Sequence, residues 1–295
     1  MHDPFSISAQ ALLSQLLIGL INGSFYALLS LGLSVIFGLL NVVNFAHGAF
    51  YTAGAFVAYL LLEITGIGYW PALIIAPVVI GAIGVFLERT LLRRLQGLDP
   101  LYWLLLTFGL ALVIQGLLRI EYGSSGLPYQ IPEVLEGGRD LGFMFLPNYR
   151  AWVILFSISV CLGSWYVIER TKLGSYLRAG TENPALVQAF GINVPLMTTL
   201  TYGFGVGLAA VAGVLAAPIY RVSPMMGADQ LIVVFAVVVI GGMGSIMGSI
   251  VSGFALGVIE AITKVVYPNA SDTVVFVLMA IILLVKPAGL FGKVQ

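Results

Sequence analysis

The stretch LLNVVNFAHGAF, residues 39–50, places Asn41, Asn44 and His47 inside an apolar run that otherwise extends from Ala11 to Leu62. In an α-helix these three side chains, each three positions from the next, lie on overlapping parts of one face. An unpaired amide in hydrocarbon is costly, so polar side chains in a membrane segment must face protein or water. The sequence therefore predicts that this face points toward the protein interior.

Two interpretations of this segment are open, and they are compatible with each other. In the first, the two amides cap a broken helix and form hydrogen bonds to neighbouring helices. In the second, the break lines a solute path, as discontinuous helices do in many transporters. The candidate path residues are Asn41, Asn44, His47 and Gly48.

The composition of the whole chain indicates whether this segment lies in water or in lipid. Of 295 residues, 60% are hydrophobic and only 9% are charged, whereas soluble domains carry about 25% charged residues. This deficit is too large to be explained by an unusually big core, so we expect an integral membrane protein in contact with lipid. The formal net charge is zero and no tail of like charges is present, which argues against nucleic acid as a partner.

Nine apolar runs approach the length of about 20 residues that a helix needs to cross a hydrocarbon core of about 30 Å. The first and seventh runs could each contain a half-span. The sequence thus predicts an all-α integral membrane protein, a bundle of about eight or nine spans in a single domain, residues 1–295. The runs cover residues 11–38, 46–62, 70–88, 101–119, 151–169, 199–219, 230–247, 250–267 and 273–286.

Lys and Arg in short loops predict the orientation, because they concentrate on the cytoplasmic side. They cluster at residues 89–94, 170–178 and 286–293, and even numbers of spans separate these clusters. We therefore expect a cytoplasmic C-terminus and an external acidic loop at 121–140. The N-terminus lies outside if 11–38 is one span, and inside if that run includes a re-entrant half-helix. It lacks the features of a cleaved signal peptide, so we expect the first run to be retained.

Small residues recur at four-residue spacing in several spans, which permits close helix packing in lipid. The longest such pattern is GGMGSIMGSIVSGFALG, residues 241–257, whose small residues would share one face if the segment were one continuous helix. It suits either tight packing or a hinge at which two helices change their tilt, and its Gly-Gly and Gly-Ser pairs also favour a break. The candidate packing or hinge residues are Gly241, Gly244, Gly248, Gly253 and Gly257.

The loop at about 171–198 is long, and it mixes charged residues with a compact apolar set. Asn183 followed by Pro184 predicts a helix start, with Pro at the first helical position. Gly191 is expected to end this helix after about two turns. Such a short amphipathic helix either lies on its own protein or docks a cytoplasmic subunit.

Few ionisable side chains are expected at membrane depth. His47 alone would suit a proton relay, but the centres of the other runs offer it no Asp, Glu, Lys or Arg partner, which argues against a proton-coupled carrier. Glu260 and Lys264, spaced i to i+4, are expected to form a structural pair near the outer end of their span. The single Cys161 is expected to be a small buried hydrophobe.

Motifs for catalysis and cofactor binding are missing from the sequence. It contains no G-x-x-x-x-G-K-[ST] phosphate loop, no HExxH motif and no Cys/His cluster with metal-ligand spacing. We therefore expect no catalytic residues, no metal and no cofactor in this chain. Energy from ATP, if it is used, must come from another chain.

Four long segments, in this order along residues 11–292, resemble the permease subunit of branched-chain amino acid ABC importers, the shorter and LivH-like of the two permeases. The similarity covers nearly the whole chain. The four segments are SLGLSVIFGLLNVVNFAHGAFYTAGAF, LGSYLRAGTENPALVQAFGINV, GADQLIVVFAVVVIGGMGSIMGSIVSGFALG and DTVVFVLMAIILLVKPAGLFG.

The resemblance implies a bacterial inner-membrane importer with several kinds of subunit. A periplasmic solute-binding protein would deliver substrate, two related permeases would form the channel, and two cytoplasmic P-loop ATPases would bind ATP and Mg²⁺. By similarity, the 174–194 segment, including Arg178, Glu182, Asn183 and Gly191, would be the coupling loop seated on an ATPase. The break at residues 39–50 would lie near the translocation path.

The function implied is import of branched-chain or other hydrophobic amino acids by alternating access. One alternative is the same type of permease for urea, short-chain amides or other amino acids. An alternative of another class is a proton-coupled secondary carrier. An intramembrane enzyme is disfavoured, because no pair of catalytic groups shares an inward-facing set.

Overall fold

Helices form nearly all of the regular structure, because a chain in lipid must satisfy its backbone polar groups within itself. The computed structural model describes residues 9–95 and 97–292, except for the side chain of Leu39. The helices are α1 (Ala9–Leu40), α2 (His47–Thr65), α3 (Tyr69–Thr90), α4 (Pro100–Tyr122), α5 (Asn148–Arg170), α6 (Lys172–Glu182), α7 (Pro184–Ala189), α8 (Val194–Tyr220), α9 (Met226–Gly241), α10 (Ile246–Val266) and α11 (Ser271–Val285).

Short elements complete the connections. Strands β1 (Gly138–Asp140) and β2 (Phe145–Pro147) pair antiparallel in the loop between α4 and α5. Single 3₁₀ turns occupy Leu92–Leu95, Glu133–Leu135 and Pro268–Ala270.

Each of the nine predicted apolar runs corresponds to one helix. Within the described residues, eight helical segments are long and apolar enough to cross a membrane, and α9, with 16 residues, is a shorter apolar helix. The fold class predicted from the sequence, a multi-span all-α membrane protein, is therefore confirmed. The loop at 171–198 differs from the prediction of one short helix, since α6 precedes α7 within it.

The segment 241–257 does not form one continuous helix. Gly242 and Gly244 have φ angles of 100° and 82°, which end α9 and reverse the chain before α10. The seventh run therefore ends six residues earlier than predicted. Gly241 and Gly248 lie on opposite sides of this turn, where the backbones of α9 and α10 are in contact.

The continuous α1 defines the two faces of the bundle. At its start, Gln10 Nε2 and Ser14 Oγ donate to the carbonyl oxygen of Phe143 at 3.1 and 3.2 Å, beside the acidic loop. Near its end, Gly38 shares a cavity with Arg178 of α6. Following the Lys and Arg distribution, we call the side at the start of α1 the outer face and the side at its end the inner face.

Glycines let α1 lie against its neighbours with direct backbone contact. A Cβ atom on Gly23 would lie 2.9 Å from Phe254 Cα of α10, and one on Gly253 would lie 2.6 Å from Ala27 Cα. On the other side, a Cβ on Gly205 of α8 would lie 2.8 Å from the Gly32 carbonyl oxygen. Helices α1, α8 and α10 therefore form the buried centre, because small residues allow the close approach on which helix packing in lipid depends.

We expect Gly257→Val to destabilise the bundle, since the added side chain would meet the backbone of Gly19, whose carbonyl oxygen lies 2.5 Å from a Cβ at this position. Backbone atoms cannot rotate away, so the loss should reach about 1–3 kcal/mol or more. Thermal unfolding of the purified protein in detergent measures it. Gly163→Val on α5, where nothing lies within 4 Å, is the matched control, and equal melting temperatures for the two variants would contradict this packing account.

Candidate functional site

The connection between α1 and α2 re-enters the membrane. Asn41 has a left-handed φ of 51°, a conformation that Asn tolerates better than most residues. His47, the first residue of α2, contacts the carbonyl of Leu29, and Leu29 precedes the end of α1 at Leu40 by roughly 16 Å of helix. Helix α2 therefore begins at membrane depth.

Asn44 stabilises this re-entrant turn through both ends of its amide. Its Oδ1 accepts a hydrogen bond from the backbone N–H of Ala46 at 3.0 Å, and its Nδ2 donates to the hydroxyl of Tyr202 on α8 at 3.1 Å. The side chain is only 2% exposed. The bond to Tyr202 is the hydrogen bond to a neighbouring helix that the first interpretation expected, whereas the N-cap of α2, Ala46, has no side-chain cap.

His47 is completely buried. Its Nε2 lies 3.0 Å from the carbonyl oxygen of Leu29, which can only accept, so Nε2 carries the proton. Its Nδ1 has no hydrogen-bond partner among the described residues, and within that part of the chain no carboxylate contacts it. The arrangement positions α2 against α1, and the described residues bring no second group to His47 for a proton relay.

Gly48 marks the point at which α2 crosses α9. A Cβ on Gly48 would lie 2.5 Å from the carbonyl oxygen of Gly227, and one on Gly227 would meet the carbonyl of Gly48. Thr52 fixes the crossing, since its Oγ1 accepts from the N–H of Gly227 at 3.0 Å and donates to the Gly48 carbonyl at 3.2 Å. Two helices thus begin side by side within the membrane. Neither Gly227 nor Thr52 was singled out from the sequence.

A cavity of about 450 Å³ at the inner face joins the break to the segment between α5 and α8. Asn41 and Trp103 line one side, and Gly180, Pro184 and Gln188 line the other. Of the four candidate path residues, only Asn41 reaches this cavity, because Asn44, His47 and Gly48 are buried above it. The break and the predicted coupling loop are therefore neighbours in space.

Arg178 holds α6 on α5. Its Nη1 lies 3.3 Å from Glu169 Oε2 and 3.3 Å from the carbonyl oxygen of Ile168. Both charged side chains are about half exposed, so the pair contributes little to stability and chiefly orients α6. Glu182, at the end of α6, is exposed.

Helix α7 carries an exposed apolar surface at the inner face. Asn183 Oδ1 accepts from the N–H of Leu186 at 3.0 Å, and Gly191 follows the helix with a φ of 83°, so the predicted start and end are confirmed. Val187 is buried, whereas Leu186 and Phe190 are 54% and 77% exposed. We call Leu186 and Phe190 the α7 surface.

Glu88 is a buried carboxyl group that the sequence analysis did not select. It lies at the inner end of α3, is 1% exposed, and accepts a hydrogen bond of 2.6 Å from Thr199 Oγ1 on α8. No Lys or Arg pairs with it among the described residues. An acidic residue at the end of an otherwise apolar run was the signal that could have identified it.

Metal-binding groups are not brought together by the fold. In residues 9–95 and 97–292, no three His, Cys, Asp or Glu side chains are grouped closely enough to hold a metal ion. Cys161 is free and buried.

Comparison with known proteins identifies the family. Residues 15–285 match the family model described as branched-chain amino acid transport system / permease component. The chain is 31% identical to the high-affinity branched-chain amino acid transport system permease protein BraD of Pseudomonas aeruginosa, over 95% of this chain and 96% of BraD. It is 30% identical to the corresponding protein LivH of Escherichia coli K12, again over 95% of this chain and 96% of LivH.

A second type of permease also matches. LivM of Escherichia coli K12 is 29% identical over 90% of this chain and 67% of LivM. No solved structure matches the chain. The chain therefore belongs to the branched-chain amino acid transport permease family, and it is a membrane-embedded transport component and not an enzyme.

We expect Tyr202→Phe to destabilise the re-entrant turn between α1 and α2, because it removes the hydroxyl that accepts from Asn44 while keeping the aromatic ring. The loss of one buried hydrogen bond should lower the free energy of unfolding by about 1 kcal/mol. Unfolding in mixed micelles of rising SDS content measures it. Tyr166→Phe, whose side chain is 60% exposed on α5, controls for loss of a hydroxyl, and equal effects of the two changes would count against the Asn44 contact.

Proposed function

We propose that this chain is one of two related permease subunits of an ATP-driven importer of branched-chain or other hydrophobic amino acids. The observation that carries the proposal is the family match over residues 15–285, together with the names of the relatives that align over nearly their whole length. We further propose that the chain lies in a bacterial inner membrane with its C-terminus in the cytoplasm; the Lys and Arg distribution supports this orientation.

The partner within the membrane is a second, related permease. LivH and LivM of Escherichia coli are each named as a permease protein of a high-affinity branched-chain amino acid transport system, and this chain is similar to both. Because one organism has two related permeases of this kind, we expect this chain to pair with a relative of itself. Small residues and exposed apolar side chains on the helices at the periphery of the bundle suit such pairing in lipid.

The energy comes from other chains. The sequence contains no phosphate-binding loop, so two cytoplasmic P-loop ATPases bind ATP and Mg²⁺, and a periplasmic solute-binding protein supplies the substrate. The α7 surface is the expected contact for an ATPase, because two apolar side chains at the inner face would otherwise remain in water. Arg178, Glu182, Asn183 and Gly191 shape this coupling segment.

The shared cavity supports a route from ATPase movement to the path. Helices α6 and α7 form one wall of the cavity, and Asn41 at the break forms another. A displacement of α7 therefore changes the space around the break and, through it, the tilt of α2. We assign Gly241, Gly244 and Gly248 to a hinge between α9 and α10. We assign Gly253 and Gly257 to the surface along which α10 moves against α1.

We expect Asn44→Leu to reduce ATP-driven leucine uptake at least about tenfold, equivalent to about 1.4 kcal/mol, without reducing assembly with the ATPases. The substitution removes the two hydrogen bonds, to Ala46 and to Tyr202, that hold the re-entrant turn in place. Uptake into proteoliposomes and co-isolation of the ATPases measure the two effects. Asn269→Leu, at an exposed outer turn, is the control, and wild-type uptake by Asn44→Leu would remove this role.

We expect the double change Leu186→Ala and Phe190→Ala to detach the ATPases, because truncated hot-spot side chains commonly cost more than about 1 kcal/mol each. The amount of ATPase that co-purifies with the two permeases should fall about tenfold, while the permeases stay together. Ile64→Ala, 76% exposed at the outer end of α2, should change nothing. Undiminished ATPase recovery from the double variant would show that α7 is not the docking element.

A further inference from the structure

A polar cavity distinct from the inner-face cavity lies toward the outer face. It has a volume of about 180 Å³, well above the roughly 15 Å³ that a single water molecule requires. Helices α1, α8, α9 and α10 meet around it. Its polar lining consists of Asn22, Tyr26, Tyr220, Gln230, Glu260 and Lys264.

A carboxylate lies at the buried side of this cavity. Glu260 is 7% exposed; its Oε2 accepts from the Tyr26 hydroxyl at 2.7 Å, and its Oε1 accepts from Lys264 Nζ at 2.8 Å. The pair with Lys264, predicted from the spacing, is thereby confirmed. A carboxylate has about four acceptor positions, so both oxygens retain capacity for a further donor.

Unused donors surround the open side. The Tyr220 hydroxyl donates to Asn22 Oδ1 at 3.0 Å, which turns the Asn22 NH₂ group away from Tyr220. Neither this NH₂ group nor the Gln230 amide forms a hydrogen bond within the described residues. The Lys264 side chain is 41% exposed, and one contact to Glu260 leaves its ammonium group further donors.

We propose that this cavity binds the zwitterionic backbone of an amino acid at the outer face of the permease. The α-ammonium group contacts Glu260, and the α-carboxylate accepts from Lys264 and from the amides of Asn22 and Gln230. The proposal rests on the proposed function, since it names the part of the substrate that this permease recognises. It also separates amino acids from urea and simple amides, which lack both charges.

The geometry favours a ligand site over a purely structural ion pair. An incoming ammonium group that replaces Lys264 leaves the buried Glu260 carboxylate paired with a cation, so the exchange does not leave an uncompensated buried charge. A structural pair within α10, joined to α1 only by Tyr26, would need neither an open cavity nor unpaired amide donors beside it. Phe25, which packs edge-on against Tyr220 with ring centroids 5.5 Å apart, supplies an apolar wall next to the charged groups.

Protection of an introduced cysteine tests the proposal. Cys161 is the single cysteine of this chain and is fully buried, so labelling of this chain by a charged, membrane-impermeant methanethiosulfonate reagent reports on Gln230→Cys alone. In the assembled complex, leucine at about ten times its dissociation constant for the Gln230→Cys variant itself, which keeps Glu260, Lys264 and Asn22, should slow labelling about tenfold, since about one-tenth of the sites stay free. Glu63→Cys, exposed at the outer end of α2, is the matched control and should not be protected.

Two further measurements separate binding from a general change of shape. Leucinamide lacks the carboxylate and 4-methyl-2-oxopentanoate lacks the ammonium group, so neither should protect Gln230→Cys. Adding Glu260→Gln should abolish protection by leucine while labelling without leucine continues. Protection that persists with Glu260→Gln, protection of both cysteines alike, or no protection at all would overturn the proposal.

Failure of this outer site and failure of the importer proposal give different results. ATP-driven leucine uptake by the wild-type complex is measured in the same vesicles. Uptake without protection of Gln230→Cys rejects this outer site and leaves the importer intact. Protection without ATP-driven uptake supports the site and rejects the importer.

Discussion

Lipid offers no hydrogen bonds, so a helix that is interrupted at membrane depth needs other parts of the chain to cover the freed backbone groups. At the first interruption, the N–H of Phe45 donates to Thr107 Oγ1 at 3.2 Å and Asn44 bonds to Tyr202. At the second, the C-terminal segment covers the end of α9, where Leu290 and Phe291 donate to the carbonyls of Ile240 and Gly241 at 2.8 and 3.0 Å. Each break is thus held by an element distant in sequence.

Close packing makes these covered breaks possible. Small residues bring α8 and α10 onto α1 and bring α9 onto α2 at Gly48, so the short helices α2 and α9 begin against protein and not against lipid. Residues without large side chains also allow two helices to slide or tilt without losing interlocked packing. The same device therefore stabilises the bundle and suits the helix movement that the proposed import would require.

The sequence predicted the fold class and the nine apolar segments because hydropathy acts locally along the chain. It also located the break near Asn41, since amides in an apolar run require an explanation. It did not predict that α2 begins at membrane depth, because that depends on the contact of His47 with Leu29. Nor did it predict the Gly48–Gly227 crossing or the polar outer cavity, which are assembled from residues up to about 240 positions apart. Single polar residues such as Asn22 and Gln230 have no local pattern that marks them.

The central claim is that this chain transports only as part of an ATP-driven assembly. Purification from its native membrane in mild detergent, followed by mass spectrometry of every stoichiometric companion, tests it most directly. The account predicts recovery of a second, related permease and two P-loop ATPases, with leucine uptake that requires ATP after reconstitution. Recovery of the chain alone, with uptake into ATP-free liposomes driven by a proton gradient, would contradict the account and would make His47 a candidate for a proton path.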